Sequence, residues 1–116
     1  MAVKPYFFEP RTDGALVYWP NMTNGDTGVP FEIGGYNDNT VTVTGTFDSD
    51  TLTMQGSNLV TGTADGFVSL HGPDGNVSAF AVDGSGVLAE APDMLRPSCG
   101  GASGTTVLVA VRLRKS

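Results

Sequence analysis

Thr40-Val41-Thr42-Val43-Thr44-Gly45-Thr46-Phe47 is the stretch that decides the fold class. Val41, Val43 and Phe47 share one parity with Gly45, and four threonines occupy the other. An alternation of period two is the signature of a strand with one buried and one exposed face. Thr is β-branched and suits the exposed side of a pleated strand. After Asp48-Ser49-Asp50, Leu52 and Met54 alternate with Thr51, Thr53 and Gln55. With a tight turn at 48–50, the two segments are expected to form a hairpin, greasy on one face and threonine-covered on the other.

The same style extends in both directions. Upstream, Ala15 to Pro20 is a short apolar strand bounded by Asp13-Gly14 and Pro20, and Asn21 to Val29 is a polar loop. Pro30 to Ile33 adds a short strand before turn signals at Gly34-Gly35 and Asn37-Asp38-Asn39. Downstream, Phe67 to Leu70 is a strand, Pro73-Asp74-Gly75-Asn76 a turn, Val77 to Val82 a strand and Asp83 to Gly86 another turn. Val87 to Ala91 is short, Met94 to Pro97 reads as a strand or bend, and Gly100 to Gly104 is a loop. Thr105 to Leu113 closes the chain. Val107, Val109, Val111 and Leu113 form one face of it, and Leu108, Ala110, Arg112 and Arg114 form another that begins apolar and ends basic. No amphipathic helix is evident, and Asp93-Met94-Leu95 makes one helical turn at most. The spacing predicts an all-β fold, a small antiparallel β-sandwich of Ig-like or jelly-roll type with about eight or nine short strands.

A chain of 116 residues fits one domain. Its expected organisation is an extended N-terminal arm over residues 1–12 and a single sandwich over 13–116. Pro5 and Pro10 hold the arm out of helical conformations. Between them, Tyr6, Phe7 and Phe8 need cover. Lys4, Pro5, Tyr6, Phe7 and Phe8 are therefore candidate contact residues. Either the arm packs back on its own core, or it docks on a partner or a neighbouring subunit.

Twelve acids against six bases give a formal charge of −6. Nucleic-acid binding neutralises phosphates with Lys and Arg, so no DNA or RNA partner is expected. Nothing approaches the roughly 20 apolar residues of a membrane helix. Residues 1–20 lack the basic start and apolar run of a signal peptide, so a soluble protein made in the cytoplasm is expected. Cys99 is the single cysteine, which rules out an intrachain disulfide.

Catalytic chemistry finds little to work with. His71 is the one histidine, and any nucleophile–histidine arrangement must use it. It ends a strand before Gly72-Pro73 and reads as a surface or turn residue. Cys99 reads as a small structural residue. Asp13, Asp26, Asp38, Asp48, Asp50, Asp65, Asp74 and Asp83 fall in turns, where Asp serves local backbone hydrogen bonds. Glu90 alone among the acids stands in an apolar context. The oxygen-rich stretches at 37–39, 48–50 and 74–76 lack the calcium-loop pattern ending in Glu. Gly100 to Gly104 lacks the ending of a phosphate loop. Trp19, the one tryptophan, reads as core beside Tyr18. No enzyme activity, cofactor or metal is expected.

Val41-Thr42-Val43-Thr44-Gly45-Thr46-Phe47 followed by Leu52-Thr53-Met54-Gln55-Gly56-Ser57-Asn58 resembles a segment of the head decoration, or cement, proteins of tailed bacteriophages. Met94-Leu95-Arg96-Pro97-Ser98, Gly100-Gly101 and the Val-rich strand 105–113 are similar to the C-terminal half of that family. The family's common form has a longer loop after Gly-Ser-Asn, where Leu59 to Thr63 stands here. The resemblance implies a virion protein on the outer capsid surface. It implies the major capsid protein as partner, self-association as a dimer or trimer, and a role in stabilising the shell. The alternatives are a tail or fibre component and a carbohydrate-binding sandwich module.

Overall fold

The computed structural model describes residues 3–23, 25–33, 36, 38–47, 50–58, 66–89, 92–100 and 105–114. Every regular element among them is a strand: β1 (Val3–Lys4), β2 (Phe7–Arg11), β3 (Gly14–Thr23), β4 (Thr27–Gly28), β5 (Phe31–Glu32), β6 (Asp38–Thr46), β7 (Leu52–Ser57), β8 (Val68–Ser69), β9 (Ala79–Phe80), β10 (Gly84–Leu88), β11 (Met94–Cys99) and β12 (Thr106–Arg114). Sheet I has the order β10-β6-β12-β3-β2 and is antiparallel throughout. Sheet II is built around β11, with β7 on one side and β4 and β5 in line on the other. Beyond β7 lie β8 and β9, and β1 joins β4 in a parallel pair. The all-β sandwich expected from the alternation is what forms.

The buried faces meet in one core. Sheet I contributes Ala15, Val17, Trp19, Met22, Val41, Val43, Val107, Val109, Val111 and Leu113, while Leu52, Met54, Leu95 and Cys99 face them from sheet II. Each strand thus spends alternate side chains on the interior. In β12 and β3 the register shifts between Val107 and Val109, and Asn21 takes φ +58°, a left-handed conformation that Asn tolerates at a bulge.

Three expectations about pairing are corrected. The segments at 40–47 and 51–55 do not form a hairpin, because β6 belongs to sheet I and β7 to sheet II. The chain arches between sheets near Phe47 and Asp50, where the Asp50 N–H donates to the Phe47 carbonyl and Thr105 Oγ1 donates to Phe47 O and Asp50 Oδ2. Alternation dictates which face is buried and leaves the neighbour open. Secondly, Gly84 and Gly86 are strand residues of β10, not a turn. They face inward, and a Cβ on Gly84 would stand 3.3 Å from the Phe80 ring, so glycine leaves room for that ring. Thirdly, Val77 to Val82 is mostly irregular, with β9 covering Ala79–Phe80 and an isolated bridge between His71 and Val77.

The strand count exceeds the expected eight or nine because edges are broken into short pieces. β4 and β5 are interrupted at Val29-Pro30, where the Val29 carbonyl accepts from Trp19 Nε1 at 3.0 Å and Pro30 has no N–H. Pro97 sits in the middle of the central strand β11 for a related reason. Its partner Met54 turns its N–H away from β11, to the Ser78 carbonyl, so this pair exchanges no ladder bond across β7 and β11. On its other side Pro97 lies against Gly28 of β4, where a Cβ would stand 2.6 Å from Pro97 Cδ, so glycine leaves room for the ring.

Candidate functional site

The five arm residues divide between the protein's interior and its surface. β1 lies in sheet II and β2 in sheet I, so Pro5 and Tyr6 carry the chain from one sheet to the other. Lys4 accepts the Val29 N–H on its carbonyl, and its Nζ stands 3.6 Å from Oδ2 of the buried Asp26. Asp26 Oδ2 also accepts from the Thr23 N–H and hydroxyl. Tyr6 packs edge-on against Trp19 at 6.1 Å and Phe31 at 5.1 Å. Phe8 stacks on Phe31 at the open flank of the sandwich. Phe7, 51% exposed, points the other way and stacks on Tyr18 at 5.4 Å. Lys4 and Tyr6 therefore bind the arm to its own fold, while Pro5, Phe7 and Phe8 are exposed.

Phe7 leads onto the outer face of sheet I. The register places Phe7, Tyr18, Ala110, Thr42 and Ser85 in one row across five strands. The adjoining row is Glu9, Leu16, Arg112, Thr40 and Val87. Leu108, 40% exposed, stands beside Thr44. One end of the face is charged, and most of its charges are paired: Arg11 meets Glu9 at 2.9 Å, and Arg112 and Arg114 both engage Asp13, while the exposed Asp38 stands opposite Arg114 on β6. The hydrogen bond from Arg112 holds the Asp13 carboxyl below its ordinary value. The rest is a sheet of threonines with Phe7, Leu108 and Val87 projecting from it. β-branched side chains are stiff, so such a face loses little freedom when covered. Exposed apolar groups in an uncharged field are the features of a protein-docking surface.

Sequence reasoning singled out Lys4 to Phe8 and missed Tyr18 and Leu16 as surface residues, since both stand within an apparently apolar strand. The available signal was the second parity of Leu108, Ala110 and the β6 threonines. It became one surface only when β6, β12, β3 and β2 were seen to be neighbours.

The groups with catalytic potential are engaged structurally. Cys99 is buried. Burial and the neighbouring Asp50 carboxylate push its thiol up to about 11, so it stays protonated near neutral pH. The Asp residues serve the backbone: Asp50 Oδ1 accepts from the Thr51 N–H, Asp74 Oδ1 from the Asn76 N–H and Asp83 Oδ1 from the Gly45 N–H. His71 bridges Val77 and accepts the Ala89 N–H on its carbonyl. Among the described residues, no three His, Cys, Asp or Glu side chains gather as metal ligands. Glu90, Asp48 and Asp65 lie outside the described residues. No described helix is long and apolar enough to cross a membrane.

Fold and surface together define an all-β, two-sheet sandwich with one threonine-rich, partly aromatic outer face. No family model matches the chain, and no curated protein matches it in sequence. Among solved structures, its fold is similar to the crystal structure of SPBc2 prophage-derived protein YomS, with a TM-score of 0.64 and 12% identity over 84% of this chain and 92% of that one. At that identity the likeness establishes the fold.

Proposed function

We propose that this chain is a non-enzymatic structural protein of a bacteriophage virion, and that it decorates the outer surface of the capsid and stabilises the shell. The observation that carries the reading is the outer face of sheet I, a stiff threonine-rich surface, charged at one end only, with Phe7 and Leu108 exposed upon it. The prophage origin of a protein sharing the fold over most of both chains supports the phage assignment. The major capsid protein is the partner proposed for this face, and self-association as a dimer or trimer fits the symmetric sites of a shell lattice. A protein that binds the assembled lattice and not its free subunit lowers the free energy of the assembled state by mass action. The net charge of −6 suits a position outside the shell, away from packaged DNA.

The buried Trp19 leaves the carbohydrate-binding alternative without its single tryptophan platform. A tail or fibre role uses the same kind of surface and is separated by experiment. Purified protein is mixed with heads lacking it and, separately, with isolated tails, and each mixture is pelleted. The proposal expects saturable pelleting with heads at fixed stoichiometry. Pelleting with tails alone overturns the capsid assignment.

A further inference from the structure

The outer face of sheet II carries two charges that do not meet. Arg96 projects from β11, where its Nε donates to Gln55 Oε1 at 3.0 Å and its guanidinium lies 4.1 Å from the centre of the Phe67 ring. Gln55 stands on β7, so the guanidinium is drawn to that side of β11. Glu32 stands on the opposite side, on β5, directly across from Met94 and one diagonal step from Arg96. It is exposed, as the alternation of buried Phe31, exposed Glu32 and buried Ile33 requires.

The other described cations are all committed: Lys4 to Asp26, Arg11 to Glu9, Arg112 and Arg114 to Asp13. Among the described residues Arg96 has no carboxylate partner, although acids outnumber bases two to one. Partial burial lowers its pKa with no acid to offset the cost. Stacking on Phe67 and the bond to Gln55 fix the fork and leave its Nη groups without a described acceptor.

We infer that the outer face of sheet II is a two-fold interface between two copies of this chain, in which Arg96 of each copy pairs with Glu32 of the other. A two-fold contact requires one patch to be self-complementary, residue i meeting j and j meeting i. A cation and an anion offset on one face satisfy that condition, since rotation about an axis near Met94 brings each over its opposite. Met94 then packs on its own copy, a contact that a flexible thioether accommodates. A second copy is favoured over a small acidic ligand because the same face carries both the cation and, offset from it, the matching carboxylate of Glu32. The concavities lined by Gly56 to Asn58 with Val68, by Gly72 to Asp74 and Asn76 to Phe80 with Val87, and by Arg11 to Gly14 do not include Arg96. This interface rests on the self-association proposed above, and its test in solution is separate from the test of capsid binding.

The test is sedimentation equilibrium of the full chain at low salt, for the wild type, Arg96→Glu, Glu32→Arg and the double exchange. The wild type is expected to dimerise. Each single exchange sets like charges together and should raise the dissociation constant by about tenfold or more, and the double exchange should restore it to within about threefold. Glu32→Arg replaces an exposed side chain, so it keeps the variant set informative if Arg96→Glu lowers the melting temperature. A wild type that stays monomeric, single exchanges that leave the constant unchanged, or a folded double exchange that does not recover would each overturn the inference.

Discussion

Replacing Phe7 by alanine separates docking from folding. A phenylalanine side chain presents roughly 150–250 Å² for burial, and Phe7 is 51% exposed, its other half stacked on Tyr18. Docking of the sheet I face then covers about 100 Å² more of this ring. At about 25 cal/mol per Å² that is roughly 2.5 kcal/mol, or about 60-fold in affinity. The intramolecular stack contributes about 1 kcal/mol or less, so the melting temperature should fall by only a few degrees. The assay titrates heads lacking the protein and measures the fraction bound after pelleting. Half-saturation should move about 60-fold upward for Phe7→Ala, with the circular dichroism spectrum unchanged. A half-saturation within about threefold of wild type, together with a large loss of thermal stability, would refute the reasoning by assigning Phe7 to folding alone.

Further outcomes follow from the packing and the titrating groups. A Cβ on Gly28 would stand 2.5 Å from Trp19 Nε1 and 2.6 Å from Pro97 Cδ. Gly28→Ala should therefore lower the unfolding free energy by about 2–4 kcal/mol through overpacking and strain on the Trp19–Val29 bond; an unchanged urea midpoint would contradict this packing. Asp13 has a folded-state pKa below its ordinary 3.8, so its pairing with Arg112 stabilises the fold above that pH and is lost as pH falls through the folded value. Asp13→Asn should accordingly lower the melting temperature at neutral pH, with the difference from wild type shrinking as the pH drops below 3.8; a constant difference across that range would remove the ion pair as its cause. The Cys99 thiol, pushed up to about 11 and buried, should react with a disulfide reagent at pH 8 only as fast as the protein opens, and rapidly in denaturant. Fast labelling of the folded protein would show the site to be open.

What the sequence made legible was governed by local periodicity. Val41 and Val43, and the Val107-to-Leu113 face, were readable as buried because each strand carries its own alternation. Partners were not readable, because strand pairing is a non-local choice. Arg96 on β11 faces Gln55 on β7, and the apparent hairpin at 40–55 proved to be an arch between sheets. β11 itself was obscured by Pro97, whose lack of an N–H normally argues against a central strand. It is tolerated because Met54 directs its N–H to Ser78 and Gly28 of β4 leaves room for the ring. The arm's aromatics were recognisable as needing cover, yet their division into the inward Tyr6 and the outward Phe7 depends on which sheet each half joins. The outer face of sheet I was the least legible feature, since its rows draw one residue from each of five strands far apart in sequence.

The most direct test of the central claim is an electron cryo-microscopy reconstruction of heads saturated with this protein. The account predicts added density at repeating sites on the outer shell, with the face formed by β10, β6, β12, β3 and β2 turned toward the capsid and Phe7 and Leu108 in the contact. Heads that carry no added density, or density in which that face points to solvent, would contradict it.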